Sequence, residues 1–209
     1  MGIEIQGRVG PGYANDGALQ DPRLTKDLGF AVQDLHGRFY EAVVRGTVFE
    51  AVTATTGVAP GTAIGTTGAF TLYNPTGSGK NLVLLDMDMG YVSGTLGSGT
   101  IYICANTNPN AAAVTGTAIT PTNLLIGAPV GVGKAFTTST LPVAPTPIHP
   151  VWTISPMLAT TVFAPIDVRL LVDGKYIISP GCALSFASVA GAGTSPLLTF
   201  SMSWEEVPV

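Results

Sequence analysis

From Thr47 to the C-terminus, apolar and polar residues alternate with a period of two, and Gly or Pro breaks the pattern at short intervals. The C-terminal segment is the clearest case. Leu198, Phe200, Met202 and Trp204 alternate with Thr199, Ser201, Ser203 and Glu205, as in a strand with one buried and one wet face. Residues 47–55, 69–73, 81–92 and 100–104 read as further strands, with weaker signals around 151–154. Within 81–92, Val83, Leu85, Met87, Met89 and Tyr91 share one face by parity, and Asp86 and Asp88 share the other. Val168, Leu170 and Val172 alternate up to Asp173-Gly174, which predicts a hairpin turn into 175–178; Pro180-Gly181 then turns the chain into 183–186. Short strands, Gly/Pro turns and no long helix predict an all-β fold: an antiparallel jelly-roll-like β-sandwich with an extended N-terminal arm and one short helix. Pro121, Pro129, Pro142, Pro145, Pro147 and Pro150 predict long loops or edge strands between 106 and 150.

The N-terminus obeys neither period. Gly7, Gly10, Pro11, Gly12, Gly17 and Pro22 punctuate residues 1–33, which read as an arm without a core of its own. Leu35, Phe39 and Val43 then recur at helical spacing, with Asp34 placed to cap and Gly46 to terminate. The expected organisation is an arm with a short helix (about 34–45) over 1–46, followed by a sandwich over 47–209.

Charge is scarce: 22 of 209 residues, for a net charge of −4. Coiled coils are excluded by the shortage of Glu and Lys, and disorder by the ordinary apolar content. Binding to duplex nucleic acid is disfavoured because it relies on Lys and Arg to displace counterions. Twelve of the 22 charges fall in residues 1–50, and between Met89 and Ile166 the only charged side chain is Lys134. That stretch is either a neutral solvated surface or one facing other subunits, since interface cores are depleted of charge. The mean hydropathy of +0.42 comes with no apolar run of membrane-spanning length, so no membrane association is expected. Met1-Gly2-Ile3-Glu4 lacks a basic n-region, and no export signal is expected. Cys104 and Cys182 are read as buried free thiols in preference to a single bridge.

The candidate chemistry is thin. Residues 76–81 and 130–135 imitate phosphate-binding loops, but each lacks the first Gly and the Ser or Thr after Lys, so both read as turns. His36 and His149 are the only histidines and sit in no nucleophile motif; with two dispersed cysteines they also fail zinc spacing. Asp86 and Asp88, with Asp167 or Asp173, offer oxygen ligands for calcium or a glycosidase-like carboxylate pair, but a solvated strand face is the preferred reading. Trp152 and Trp204 read as core or subunit-interface anchors. No enzyme activity and no cofactor is expected.

Several stretches carry a resemblance: 36–46 (His36-Gly37-Arg38-Phe39-Tyr40 onward), 74–84 (Asn74-Pro75-Thr76-Gly77-Ser78-Gly79-Lys80 onward), the Asp173-Gly174 and Pro180-Gly181 double turn, and Ser203-Trp204-Glu205-Glu206. In style, residues 34–209 resemble the head decoration (cement) proteins of tailed phages. The resemblance implies a homotrimeric jelly roll, a virion structural protein made in the host cytoplasm, that binds the major capsid protein on the outside of the shell and stabilises it. The alternative is a receptor- or glycan-binding module of a tail fibre or spike. A trimer is also expected because the face of Val83, Leu85, Met87 and Met89 would otherwise be aggregation-prone. The arm supplies the expected partner contacts, Ile3, Ile5, Val9, Tyr13, Leu19, Leu24 and Leu28, which suit a strap laid along a neighbouring surface.

Overall fold

The computed structural model describes residues 37–107, 113–154, 167–190 and 193–209. The chain divides into two compact units, 1–40 and 41–209. The arm 1–33, with its seven expected contact residues, and the start of the expected helix lie outside the described residues. Helix α1 spans only Tyr40–Val44 and buries none of its residues; residues 37–39, expected within it, form a turn that Tyr40 N–H closes on Gly37 O (2.9 Å). Its end is a Schellman motif: Gly46 N–H donates to Val43 O (2.8 Å) and Thr47 N–H to Ala42 O (3.2 Å). Gly46 sits at φ +69°, where a Cβ would be strained, so the glycine stops the helix as its place in the sequence predicts.

Among the described residues twelve strands follow: β1 (Val48–Val52), β2 (Thr67–Tyr73), β3 (Lys80–Thr95), β4 (Gly99–Asn106), β5 (Thr115–Ile119), β6 (Thr122–Asn123), β7 (Lys134–Thr140), β8 (Thr146–Ile154), β9 (Asp167–Leu171), β10 (Ile177–Ile178), β11 (Ala183–Ala190) and β12 (Thr194–Pro208). The first sheet runs β10-β3-β12-β1-β6, with β9 also on β3; the second runs β5-β7-β2-β11-β4-β8. The neighbour sets β1-β12-β3-β9 and β2-β11-β4-β8 are the strand order of a jelly roll, and every pairing is antiparallel. Strands β5 to β7 are an insertion that widens both sheets at one side. The expectation of loops or edge strands over 106–150 holds in part: β8, which carries Pro147 and Pro150, is an edge strand, but the proline-free segment between Pro129 and Pro142 forms β7, an interior strand paired with both β5 and β2.

Between the sheets lie Phe49, Phe70, Leu72, Leu82, Leu84, Met87, Met89, Ile101, Ile103, Phe186, Phe200 and Trp204. Phe186 of the second sheet stacks on Phe200 of the first with centroids 4.8 Å apart, and Trp204 stacks on Phe49. A smaller cluster of Tyr73, Val114, Leu141 and Ala183, with Phe136 against it, alternates along its strands with the core residues and so belongs to the other face of the second sheet.

Two expectations are corrected by one irregularity. The β3–β12 register shifts between Ser203 and Trp204, which places a bulge at Leu84–Leu85. Leu82 and Leu84 therefore point into the core before the bulge, and Met87 and Met89 after it, while Val83 turns to the face of Asp86 and Asp88. The supposed apolar face is not exposed: Leu85, Met87 and Met89 are buried within the sandwich and supply no pressure to trimerise. The bulge also remakes the turn at Asp173-Gly174. Both residues have positive φ and Lys175 N–H closes the turn on Val172 O, as a hairpin turn requires. Yet β9 and β10 do not pair with each other. Both pair with β3, in succession, and the turn between them donates to Leu84 O and Leu85 O.

Candidate functional site

The outer face of the first sheet carries the densest polar constellation among the described residues. Strand pairing sets it in two rows. Glu50 lies opposite Ser203 and Ser203 opposite Asp86; Val52 lies opposite Ser201, Ser201 opposite Asp88, and Asp88 opposite Arg169. Arg169 donates from Nη2 to Asp86 Oδ2 at 3.0 Å and brings Nε within 3.8 Å of Asp88 Oδ1. Ser203 Oγ donates to Asp86 Oδ1, and Ser201 Oγ approaches Asp88 Oδ2 at 3.5 Å. Burial pushes the Glu50 carboxyl above its ordinary value, with Asp86 and Asp88 adding to the rise and Arg169 opposing it.

Asp86 and Asp88 do share a face, as their spacing predicts. The residue that strand pairing brings to them is an arginine, where a calcium site would need further oxygen ligands. Asp167 stands opposite Gly90, one row beyond, and Asp173 sits in the turn after β9. Among the described residues no group of three or more His, Cys, Asp or Glu is arranged to hold a metal ion. A carboxylate pair committed to Arg169 and two serines is a cross-strand tie, and its chemistry is adhesion of β12, β3 and β9.

The other candidates resolve individually. Both cysteines are free. Cys104 is fully buried, which pushes its thiol up to about 11; Cys182 is half-buried and raised for the same reason. His149 lies on the edge strand β8, opposite Ile103, and His36 is outside the described residues. Trp204 is fully buried and Trp152 half-buried against the same core. Residues 76–79 form the β2–β3 turn. Residues 130–133 form a loop that crosses the end of β12. There Glu206 Oε1 accepts from Gly133 N–H at 2.9 Å, and a Cβ on Gly131 would overlap the Glu206 carboxylate. Gly131 and Gly133 thus serve close packing, which is also what glycine does in a phosphate loop, so the motif alone does not discriminate.

Sequence reasoning missed the buried asparagines. Asn123 donates from Nδ2 to Gly46 O (2.9 Å) and Pro129 O (3.0 Å), and its Oδ1 accepts from Leu125 N–H (2.9 Å). These bonds pin both ends of a short loop that displays Leu125, Ile126 and Val130 to solvent; Ile126 is 80% exposed. Asn before a loop is ordinary turn chemistry, and only the Leu-Leu-Ile tripeptide after it signals an unusual tip. Val52, Leu171 and Ile177 are further exposed aliphatics, all on strands of the first sheet. Comparison of the chain with protein-family models, with curated proteins and with solved structures finds no match in any of the three.

Proposed function

We propose that this chain is a non-enzymatic virion structural protein, a homotrimeric jelly roll that binds the major capsid protein on the outside of an assembled phage shell and stabilises it. The observation that carries the reading is the exposed surface. Large aliphatic side chains stand in solvent away from the carboxylate–arginine rows, Ile126 and Val130 on a latched loop and Ile177 on the edge strand β10, whereas Val52 and Leu171 are set among those rows. The stretch between Met89 and Ile166 carries one charged residue. Surfaces both apolar and depleted of charge fit the cores of protein interfaces. A jelly roll suits the role because its two sheets make a stiff body from which loops and edges project. Nothing favours the tail-fibre alternative equally, because Asp86 and Asp88, which would serve it as a calcium site, are engaged by Arg169.

The test is co-sedimentation of the full chain with empty capsids that lack it. Saturable binding, together with a higher shell melting temperature at saturation, is the expected result. Shells that neither bind the protein nor gain stability at micromolar concentration would overturn the proposal.

A further inference from the structure

The latched loop and a groove of matching character lie at opposite edges of the first sheet, at the same level along the strands. Asn123, which holds the loop, stands opposite Phe49; Phe49 stands opposite Trp204, Trp204 opposite Leu84, and Leu84 N–H donates to Tyr176 O. That row crosses the whole sheet from β6 to the β10 edge. Four strand spacings separate the two edges, about 19 Å. Beside the β10 edge is an open groove of about 340 Å³ lined by Ile148, Tyr176, Ile177, Ile178, Cys182 and Leu184. Its volume is at the small end of the roughly 300–1,000 Å³ range of ligand-sized sites, room for one or two inserted side chains.

The two surfaces also agree in polarity. Residues 120–131 contain no charged side chain. The groove has one, Lys175, whose ammonium lies over the Tyr176 ring at 5.5 Å. The convex partner is preorganised, since the three Asn123 hydrogen bonds fix the loop before any contact forms, which lowers the ordering cost of docking.

We infer that the occupant of the groove is a second copy of this chain: the Ile126 loop of one copy inserts between Ile177, Ile148 and Tyr176 of the next. The contact is head-to-tail, because the surfaces are different and lie on opposite edges. A head-to-tail contact that repeats by rotation closes into a ring. The inference rests on the assembly reading proposed above and names the contact that makes the assembly.

Light scattering on four proteins at micromolar concentration tests it. The wild type is expected at three times the single-chain mass of 21.4 kDa. Ile126→Asp and Ile177→Asp are each expected at the single-chain mass with unchanged circular dichroism. Val189→Asp, at another exposed aliphatic position that neither lines the groove nor belongs to the loop, is expected to keep the wild-type mass. Mixing the two single-chain variants gives the decisive signal. Ile126→Asp retains an intact groove and Ile177→Asp an intact loop, so the mixture is expected to form a pair that cannot close into a ring. A mixture that stays single-chain, or either variant keeping the wild-type mass, overturns the inference. A single-chain wild type that still decorates shells overturns the contact and the homotrimer, and leaves the shell-binding role standing. The expected masses without shell binding do the reverse.

Discussion

Asn74 has no solvent exposure, and its amide is fully used: Nδ2 donates to Lys80 O (2.7 Å) and Ile178 O (2.8 Å), while Oδ1 accepts from Ser78 Oγ (2.6 Å). Its backbone bonds Cys182 O and Gly181 N–H. One side chain thus ties the β2–β3 turn to the β10–β11 turn. Asn74→Ala strands the buried Ile178 carbonyl, a loss of about 1–3 kcal/mol, and leaves the half-buried Lys80 O to Ser78 Oγ alone. That loss is expected in urea unfolding, with Asn74→Asp no better because a carboxylate cannot donate. Glu50 works in the opposite direction. Its folded pKa is raised, so the native state holds the proton more tightly than the unfolded chain does. The contribution of that shift is fully present below the unfolded value and is lost as pH rises through the raised folded value. Glu50→Gln removes the titrating group. Its melting temperature should fall less than that of the wild type as pH rises through and just above the carboxylate range, and should exceed it at neutral pH. Parallel melting curves for the two proteins across that window would show that Glu50 does not sense Asp86 and Asp88.

Among the elements, the loop before β7 is the one whose fit depends most on absent atoms. Gly131 lies where a Cβ would sit 2.2 Å from Glu206 Oε1, and Gly133 where it would meet the Trp204 ring at 3.0 Å. Glu206 is buried and already bonded to Gly133 N–H, so it has little freedom to withdraw. Gly131→Ala should therefore cost about 1–3 kcal/mol, the usual penalty of overpacking, read as a lower urea midpoint. Gly61→Ala, at φ +81° with open space around it, should lose only the smaller backbone penalty of about 1 kcal/mol. The same comparison shows what the sequence can and cannot convey. Alternation from Leu198 to Trp204 carries its own phase, so the inward set of β12 was readable directly. Leu82-Val83-Leu84-Leu85 carries no phase, since four successive aliphatics satisfy either parity. The bulge hides in that run, and a one-residue slip moves each following side chain to the other face. The Asp86/Asp88 pair was legible for the same reason the run was not, because its neighbours Met87 and Met89 fix the parity. Its partners were not legible. Arg169, Ser201 and Ser203 reach it only through the register of three strands distant in sequence.

For the whole molecule, the distribution of charge decides how attachment to a shell responds to salt. Residues 1–50 hold twelve of the 22 charges, whereas the 90–165 stretch contains only Lys134. Contacts made by aliphatic side chains owe little to Coulomb attraction. Raising ionic strength from 0.1 to 1 M shortens the screening length from about 10 to about 3 Å, which removes surface ion pairs but leaves apolar burial in place. If the exposed aliphatics of the sandwich make the contact, the dissociation constant from co-sedimentation should change by less than about threefold over that range. A contact built on ion pairs would weaken far more, because each pair lost adds to the dependence on salt. A weakening beyond about tenfold would therefore transfer the contact to the charged N-terminal fifty residues. It would then be read most directly by repeating the salt series with residues 1–30 deleted. A flat response in that truncated chain, at lower affinity, would show that sandwich and arm both touch the shell, each through its own chemistry.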